Sequence, residues 1–213
     1  MLKTNPYQNQ NNAKQYDKWF EKNRWAYNAE LRAVRLLFTP TSQPGIEVGV
    51  GTGRFAAPLK IRIGVEPSRN MRELAQKRGI IAIGGVAEKL PFKDSVLEFV
   101  LMVTTICFVN DIFKAFKESF RVLSEGGNII IGMINSDSPI GRIYLKHKHD
   151  SLFFKKATFY SVDEILKLMR QTGFYDFDFR QTIFQDISET TESEIVKTGY
   201  GEGLFVVIRG KRK

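Results

Sequence analysis

The chain has 213 residues, enough for one globular domain to bury a full core without disulfide or metal staples. Its formal net charge of +9 is spread along the whole chain, so charge alone speaks to solubility and encounter rather than to a nucleic-acid role. No apolar run is long enough to span a bilayer and Met1 to Lys18 lacks a signal-peptide core, which leaves the cytoplasm as the expected compartment. The single cysteine, Cys107, sits in an apolar run read as a strand. It fits a small core residue in a reducing environment.

Residues up to about Tyr16 are rich in Asn and Gln with few apolar anchors, and read as disordered. From Asp17 to Phe38 the apolar spacing becomes helical, through Trp19, Phe20, Tyr27, Leu31, Val34 and Leu37, until Thr39-Pro40-Thr41 breaks it. Residues 1–43 thus form a tail and an aromatic capping helix ahead of a single domain over 44–213. The aromatic residues Tyr16, Trp19, Phe20, Trp25 and Tyr27 suit either an amphipathic face packed on a sheet or a lid that holds a cationic or flat acceptor. Of these, Tyr16, Trp19 and Phe20 are the candidates to line a substrate pocket.

Strands are expected near 45–49, 61–65, 80–84, 97–103 and 128–134, with helices near 53–59, 68–78 and 111–124. Such alternation predicts βαβ crossovers and a parallel sheet covered on both faces. The first crossover carries the chemistry. Gly45-Ile46-Glu47-Val48-Gly49-Val50-Gly51-Thr52-Gly53-Arg54-Phe55 runs an apolar strand into three alternate glycines, with an acid two residues ahead of the first. Glycines at that density allow sharp turns and close ligand approach, and a helix starting near Gly53 would aim its amides at the ligand. The second strand ends in Glu66, where an acid can accept from a ribose diol. A nucleoside-containing cofactor at the carboxyl edge of the sheet follows. Arg54 stands where a dinucleotide fold needs its last glycine, and Glu47 would repel a pyrophosphate but suits an ammonium group. Both oppose a nicotinamide cofactor and favour S-adenosylmethionine.

Residues 136–160 are polar and basic, including Arg142, Lys146, Lys148, Lys155 and Lys156, and read as a lid-like insertion. His147 and His149 are too few and too isolated for a metal site. Ser161-Val162-Asp163-Glu164 opens a helix with a capping box, and Gly173 closes it. Two strand-like runs, 177–184 and 204–209, follow around an acidic link over 189–196 read as helical.

Four blocks in register resemble the class I S-adenosylmethionine-dependent methyltransferases, specifically the type 11, UbiE-like group. They are Glu47 to Phe55, Gly64 to Met71, Gly85-Val86-Ala87-Glu88-Lys89-Leu90-Pro91-Phe92, and Phe116 through Ile131 with Arg121-Val122-Leu123-Ser124-Glu125-Gly126-Gly127. The resemblance implies a Rossmann-like α/β fold: a seven-stranded, mostly parallel sheet with an antiparallel last strand and helices on both faces. It places Gly49, Gly51 and Gly53 at the cofactor backbone, Glu47 at the methionine ammonium, Glu66 and Pro67 at the ribose, and Thr104 at the methionine part. Met71 would pack on the adenine or in the core. Val86 stands where the family usually has Asp, so the adenine edge falls to Ala87 and Glu88. Cys107-Phe108 replaces the family's His pair, which leaves no catalytic residue assigned; His147, His149 or Asp111 would serve if a base is needed. The expected activity is methyl transfer to a small molecule at an N, O or C atom. An RNA or protein acceptor using the basic surface, and an S-adenosylmethionine-binding module without catalysis, stand as alternatives.

Overall fold

In a computed structural model the protein is described over residues 10–38, 44–146, 155 and 157–213. Thr39-Pro40-Thr41, His147, Lys148, His149 and Lys156 lie outside those residues.

Helices α1 (Gln10–Lys22) and α2 (Arg24–Leu37) lead into an eight-stranded sheet. Its strands are β1 (Gly45–Val48), β2 (Ile63–Val65), β3 (Ile81–Ile83), β4 (Leu97–Val103), β5 (Leu123–Ile134), β6 (Phe174–Thr182), β7 (Lys197–Thr198) and β8 (Phe205–Arg212). They lie in the order β3-β2-β1-β4-β5-β8-β6-β7. The pairs among β1 to β5 are parallel, whereas β8 runs antiparallel to both β5 and β6. The expected seven strands become eight through β7, a two-residue addition on the edge. Helices α3 (Arg69–Lys77), α4 (Ile112–Val122), α5 (Pro139–Lys146) and α6 (Val162–Thr172) complete the set. Among the described residues no helix is long and apolar enough to cross a membrane.

Strand periodicity sorts the core into two halves. Phe99, Leu101 and Val103 of β4 pack with α2, while Val100 and Met102 face the cluster built on α4 and α6. The Ser161–Glu164 capping box and the left-handed Gly173 (φ 109°) bound α6 as the sequence indicates. The order of connections reverses between β1 and β4, the switch point at which open α/β sheets bind ligands beyond the carboxyl ends of their strands.

Five local expectations are corrected. The Asn- and Gln-rich stretch before Tyr16 is helical from Gln10, because Ala13 and Tyr16 pack against Met71, Leu74 and Phe108. The single expected N-terminal helix is broken at Asn23, whose side chain and backbone amide both donate to the Trp19 carbonyl. Residues 53–59 form turns instead of a helix. Pro58 has no N–H to donate, the Tyr27 hydroxyl takes the Arg54 carbonyl, and the Ala56 amide is given to Glu47. Cys107 lies in a 3-10 turn (Ile106–Phe108) beyond β4, and the 189–196 link holds only the end of another short 3-10 turn.

Asp17 ties α1 to the glycine loop. Its carboxylate accepts from Thr52 Oγ1 at 2.7 Å, from Arg54 Nε and Nη2 at 2.8 Å each, and from Arg78 Nη2 at 2.8 Å. Burial alone would raise its pKa, but the bonds from Arg54, Thr52 and Arg78 outweigh that and hold it at about 2 against an ordinary 3.8. The folded state therefore gains stability from Asp17 above about pH 4, and loses it as pH falls through about 2. Asp17→Asn should cost about 1–3 kcal/mol in urea unfolding at pH 7, since two guanidinium groups lose their acceptor. It should also speed amide exchange across α1; unchanged exchange there would show that Asp17 does not hold the helix.

Candidate functional site

The carboxyl ends of β1, β2 and β4 converge on one cradle. After β1 the chain turns through Gly49, Gly51 and Gly53, all with positive φ (70°, 53° and 84°). At Gly49 a Cβ would meet Thr105 at 2.4 Å, so only glycine fits there. Gly51 is more open, with Tyr16 of α1 3.8 Å from where its Cβ would stand. Glu66, beyond β2, accepts from the Gly51 amide at 3.2 Å and from the Ser68 amide at 2.8 Å, linking the loop to the start of α3. Burial raises its pKa to about 7, although the amides of Ser68 and Gly51 and the charge of Arg72 pull the other way.

Glu47 on β1 is 2 % exposed. Burial pushes its pKa well above the ordinary carboxylate value, the Ala56 amide offsets part of this, and the neighbouring Glu66 adds to it. Its Oε2 has no hydrogen-bond partner. A buried, unpartnered acceptor beside a glycine turn and a second acid suits a ligand that brings a cation and a diol. These residues therefore fit S-adenosylmethionine.

The other expected site residues fall at different depths. Met71 is buried with Ala13 beneath Tyr16 and Phe108. Pro67 is exposed, its carbonyl accepting from Arg72. Ala87 lies in the core on the α4 side, and the Glu88 carboxylate accepts from the Asn110 and Asp111 amides at 2.8 and 3.3 Å. Glu88 thus braces the turn before α4. Asp111 caps that helix, accepting from the Lys114 amide, and its carboxyl lines neither cavity described below. Arg121 links the third and fourth sequence blocks through the carbonyls of Leu90 and Phe92.

Thr104 stands just past β4 with φ 48°, and its side chain bonds Tyr16. Two cavities meet at Thr104 and Ile134. The larger, about 30 Å³, is lined by Tyr16, Trp19, Phe20, Glu30, Phe55, Tyr144, Ile187 and Leu204 besides those two. The smaller, about 10 Å³, reaches Cys107, Met133 and Tyr160. Tyr16, Trp19 and Phe20 therefore do meet in one cavity next to the glycine loop. Phe20 organises its roof by edge-to-face contacts with Tyr16, Trp19, Tyr27 and Phe55, at ring separations from 5.1 to 6.2 Å. Sequence reading missed Asp17 and Glu30. Both sit in the stretch taken for an aromatic helix, and an acid at helical spacing gives no local sign of whether it faces water.

Comparison with known proteins shows the family of the chain. A family described as a methyltransferase domain matches residues 46–131. A crystal structure from Thermotoga maritima, of an S-adenosylmethionine-dependent methyltransferase described as a possible histamine N-methyltransferase, is 50 % identical. It superposes with a TM-score of 0.91, covering 96 % of this chain and 97 % of that one. An uncharacterized protein of Methanocaldococcus jannaschii is 43 % identical over 94 % of this chain and 96 % of its own length. A demethylmenaquinone methyltransferase of Chlorobaculum tepidum is 30 % identical over 64 % of this chain and 62 % of its own.

The buried acids set a pH dependence. Glu66 (about 7) and Glu30 (about 8) sit above their ordinary 4.5, so the ligand-free folded state holds protons that the unfolded chain has released. Stability should be fully present below about pH 4.5 on their account, and decline as pH rises through 7 to 8. Glu66→Gln should flatten part of that decline in melting temperature. A variant profile parallel to the wild type between pH 5 and 8 would rule out Glu66 as a source.

Proposed function

Because the chain belongs to the S-adenosylmethionine-dependent methyltransferases, we propose that the methyl group it transfers goes to a small molecule held in the cavity beneath α1. The cavity itself carries this reading. It is lined by aromatic side chains, and Tyr16 in its wall stands 3.8 Å from where a Cβ on Gly51 would lie, beside the loop where a reacting methyl would have to be presented. When bound, the cofactor supplies a methyl already activated by the sulfonium charge. The protein's task is then to position the acceptor and exclude water.

In this reading Glu66 and Pro67 hold the ribose, Gly49, Gly51 and Gly53 give the cofactor backbone access, and Oε2 of Glu47 receives the ammonium. Met71, Ala87 and Glu88 lie toward the adenine, and Thr104 toward the methionine part. Residues 1–43 serve as a cap on a 44–213 catalytic domain, with Tyr144 of α5 bringing the 136–160 segment into the pocket wall. The description of the Thermotoga relative supports an amine-bearing small acceptor. The RNA alternative has less behind it, since Arg142 of the basic segment is already paired with Asp137 at 2.9 Å.

With S-adenosylmethionine and a panel of amines, phenols and carboxylic acids, the purified protein should release S-adenosylhomocysteine with at least one compound. Trp19→Ala should lower kcat/KM for that compound by about tenfold or more through misplacement of the acceptor, while calorimetric affinity for S-adenosylhomocysteine stays within about twofold. Turnover confined to tRNA or rRNA fragments, and lost when Lys146, Lys148, Lys155 and Lys156 are neutralised, would contradict the proposal.

A further inference from the structure

We infer that Glu30 is the acceptor-recognition residue and that the acceptor is a cationic arylalkylamine, whose ammonium group Glu30 binds and whose proton it takes. The inference rests on the small-molecule reading of the cavity and names the class of molecule that fits it.

Glu30 is the one charged residue on the buried face of α2, which otherwise presents Ala26, Ala29, Leu31, Ala33, Val34 and Leu37. It is 6 % exposed and lines the larger cavity. Burial alone raises its pKa to about 8, with no hydrogen bond or neighbouring charge contributing among the described residues. Taking a carboxyl out of water with nothing among the described residues to offset it costs about 1–3 kcal/mol, so an apolar residue here would make a more stable helix face. Such a cost is retained where a ligand offsets it.

Among the described residues the groups facing Glu30 are Tyr16 from α1, Tyr144 from α5, Thr104 after β4 and, beyond Tyr16 and Tyr144, Cys107, Glu47 and Asp186. All are neutral or acidic, and burial keeps both tyrosine hydroxyls protonated, their pKa values being raised. Among the described residues an anionic acceptor would find no cation in this cavity. An ammonium would find a carboxylate and the faces or edges of Tyr16, Trp19, Phe20, Phe55 and Tyr144. The apolar part of the same molecule would lie against those rings.

The chemistry balances without a further reactant. In the empty cavity at neutral pH Glu30 is mostly the neutral acid, and binding an ammonium sends that proton to solvent and leaves an ion pair. The carboxylate then removes one N–H proton from the ammonium. The freed nitrogen lone pair forms the N–CH₃ bond while the S–CH₃ bond breaks, its electron pair remaining on sulfur. A methylated ammonium, a neutral thioether and a protonated Glu30 result, so net charge is unchanged.

The test uses phenethylamine, its neutral counterpart 2-phenylethanol and the anion phenylacetate, titrated by calorimetry into protein saturated with S-adenosylhomocysteine at pH 7 in two buffers of different ionisation enthalpy. The amine should bind about tenfold or more tightly than the alcohol, and phenylacetate more weakly still. Amine binding should release up to one proton per site. Glu30→Gln should keep its affinity for S-adenosylhomocysteine, bind amine and alcohol within about threefold of each other, and release no proton. Wild-type protein that binds the alcohol or phenylacetate as well as the amine, or binds no amine, overturns the role of Glu30. A Glu30→Gln variant that keeps the amine preference does the same. The small-molecule reading would survive either result if any non-amine in the acceptor panel is turned over, whereas turnover on RNA fragments alone would remove both.

Discussion

The Asp17 carboxylate accepts hydrogen bonds from Thr52, Arg54 and Arg78, and through them holds α1 across the glycine loop. Without α1 there is no roof: Tyr16, Trp19 and Phe20 all come from it, and they cover the cavity that Thr104 after β4 and Ile134 at the end of β5 border. The attachment is charged and half-buried, unlike the dry packing of the sheet beneath it. Partly buried ion pairs bridged by side-chain donors fix an orientation while remaining breakable, which suits a helix that must let two ligands in. Arg54 does double duty, its guanidinium lying 5.7 Å from the Phe20 ring centre while its backbone carbonyl accepts from Tyr27.

Beneath that roof the protein concentrates three acids, Glu30, Glu47 and Glu66, each at most 6 % exposed. Their pKa values are all raised by burial, which marks an environment poor in compensating charge. Among the described residues no Lys or Arg is buried. A net charge of +9 therefore describes the exterior and says little about the site, which is acidic. Burying these three acids lowers the stability of the folded chain.

Most of the architecture was readable from the chain because it rests on local signals. Alternating apolar runs, the Gly49–Gly53 spacing, Glu66 at a strand tip and the Ser161–Glu164 box each act over a few residues. What escaped depends on distant partners. The helix from Gln10 is held by Met71 and Phe108, far along the chain. At 53–59 the Arg54 carbonyl and the Ala56 amide are bonded by Tyr27 and Glu47, partners that lie elsewhere in the chain. The partners of Glu88 and Asp111 are likewise set by the fold: the Glu88 carboxylate accepts from the Asn110 and Asp111 amides, and Asp111 caps α4. Glu30 carries no local sign of burial, which the packing of α2 alone produces.

The central claim is that cofactor and acceptor meet at Thr104 under α1. A crystal structure with S-adenosylhomocysteine tests it most directly. The account predicts the ribose on Glu66, the amino group near Glu47, and the sulfur facing the cavity that Glu30, Tyr16 and Tyr144 line. A sulfur directed away from that cavity, or a ribose clear of Glu66, would contradict it.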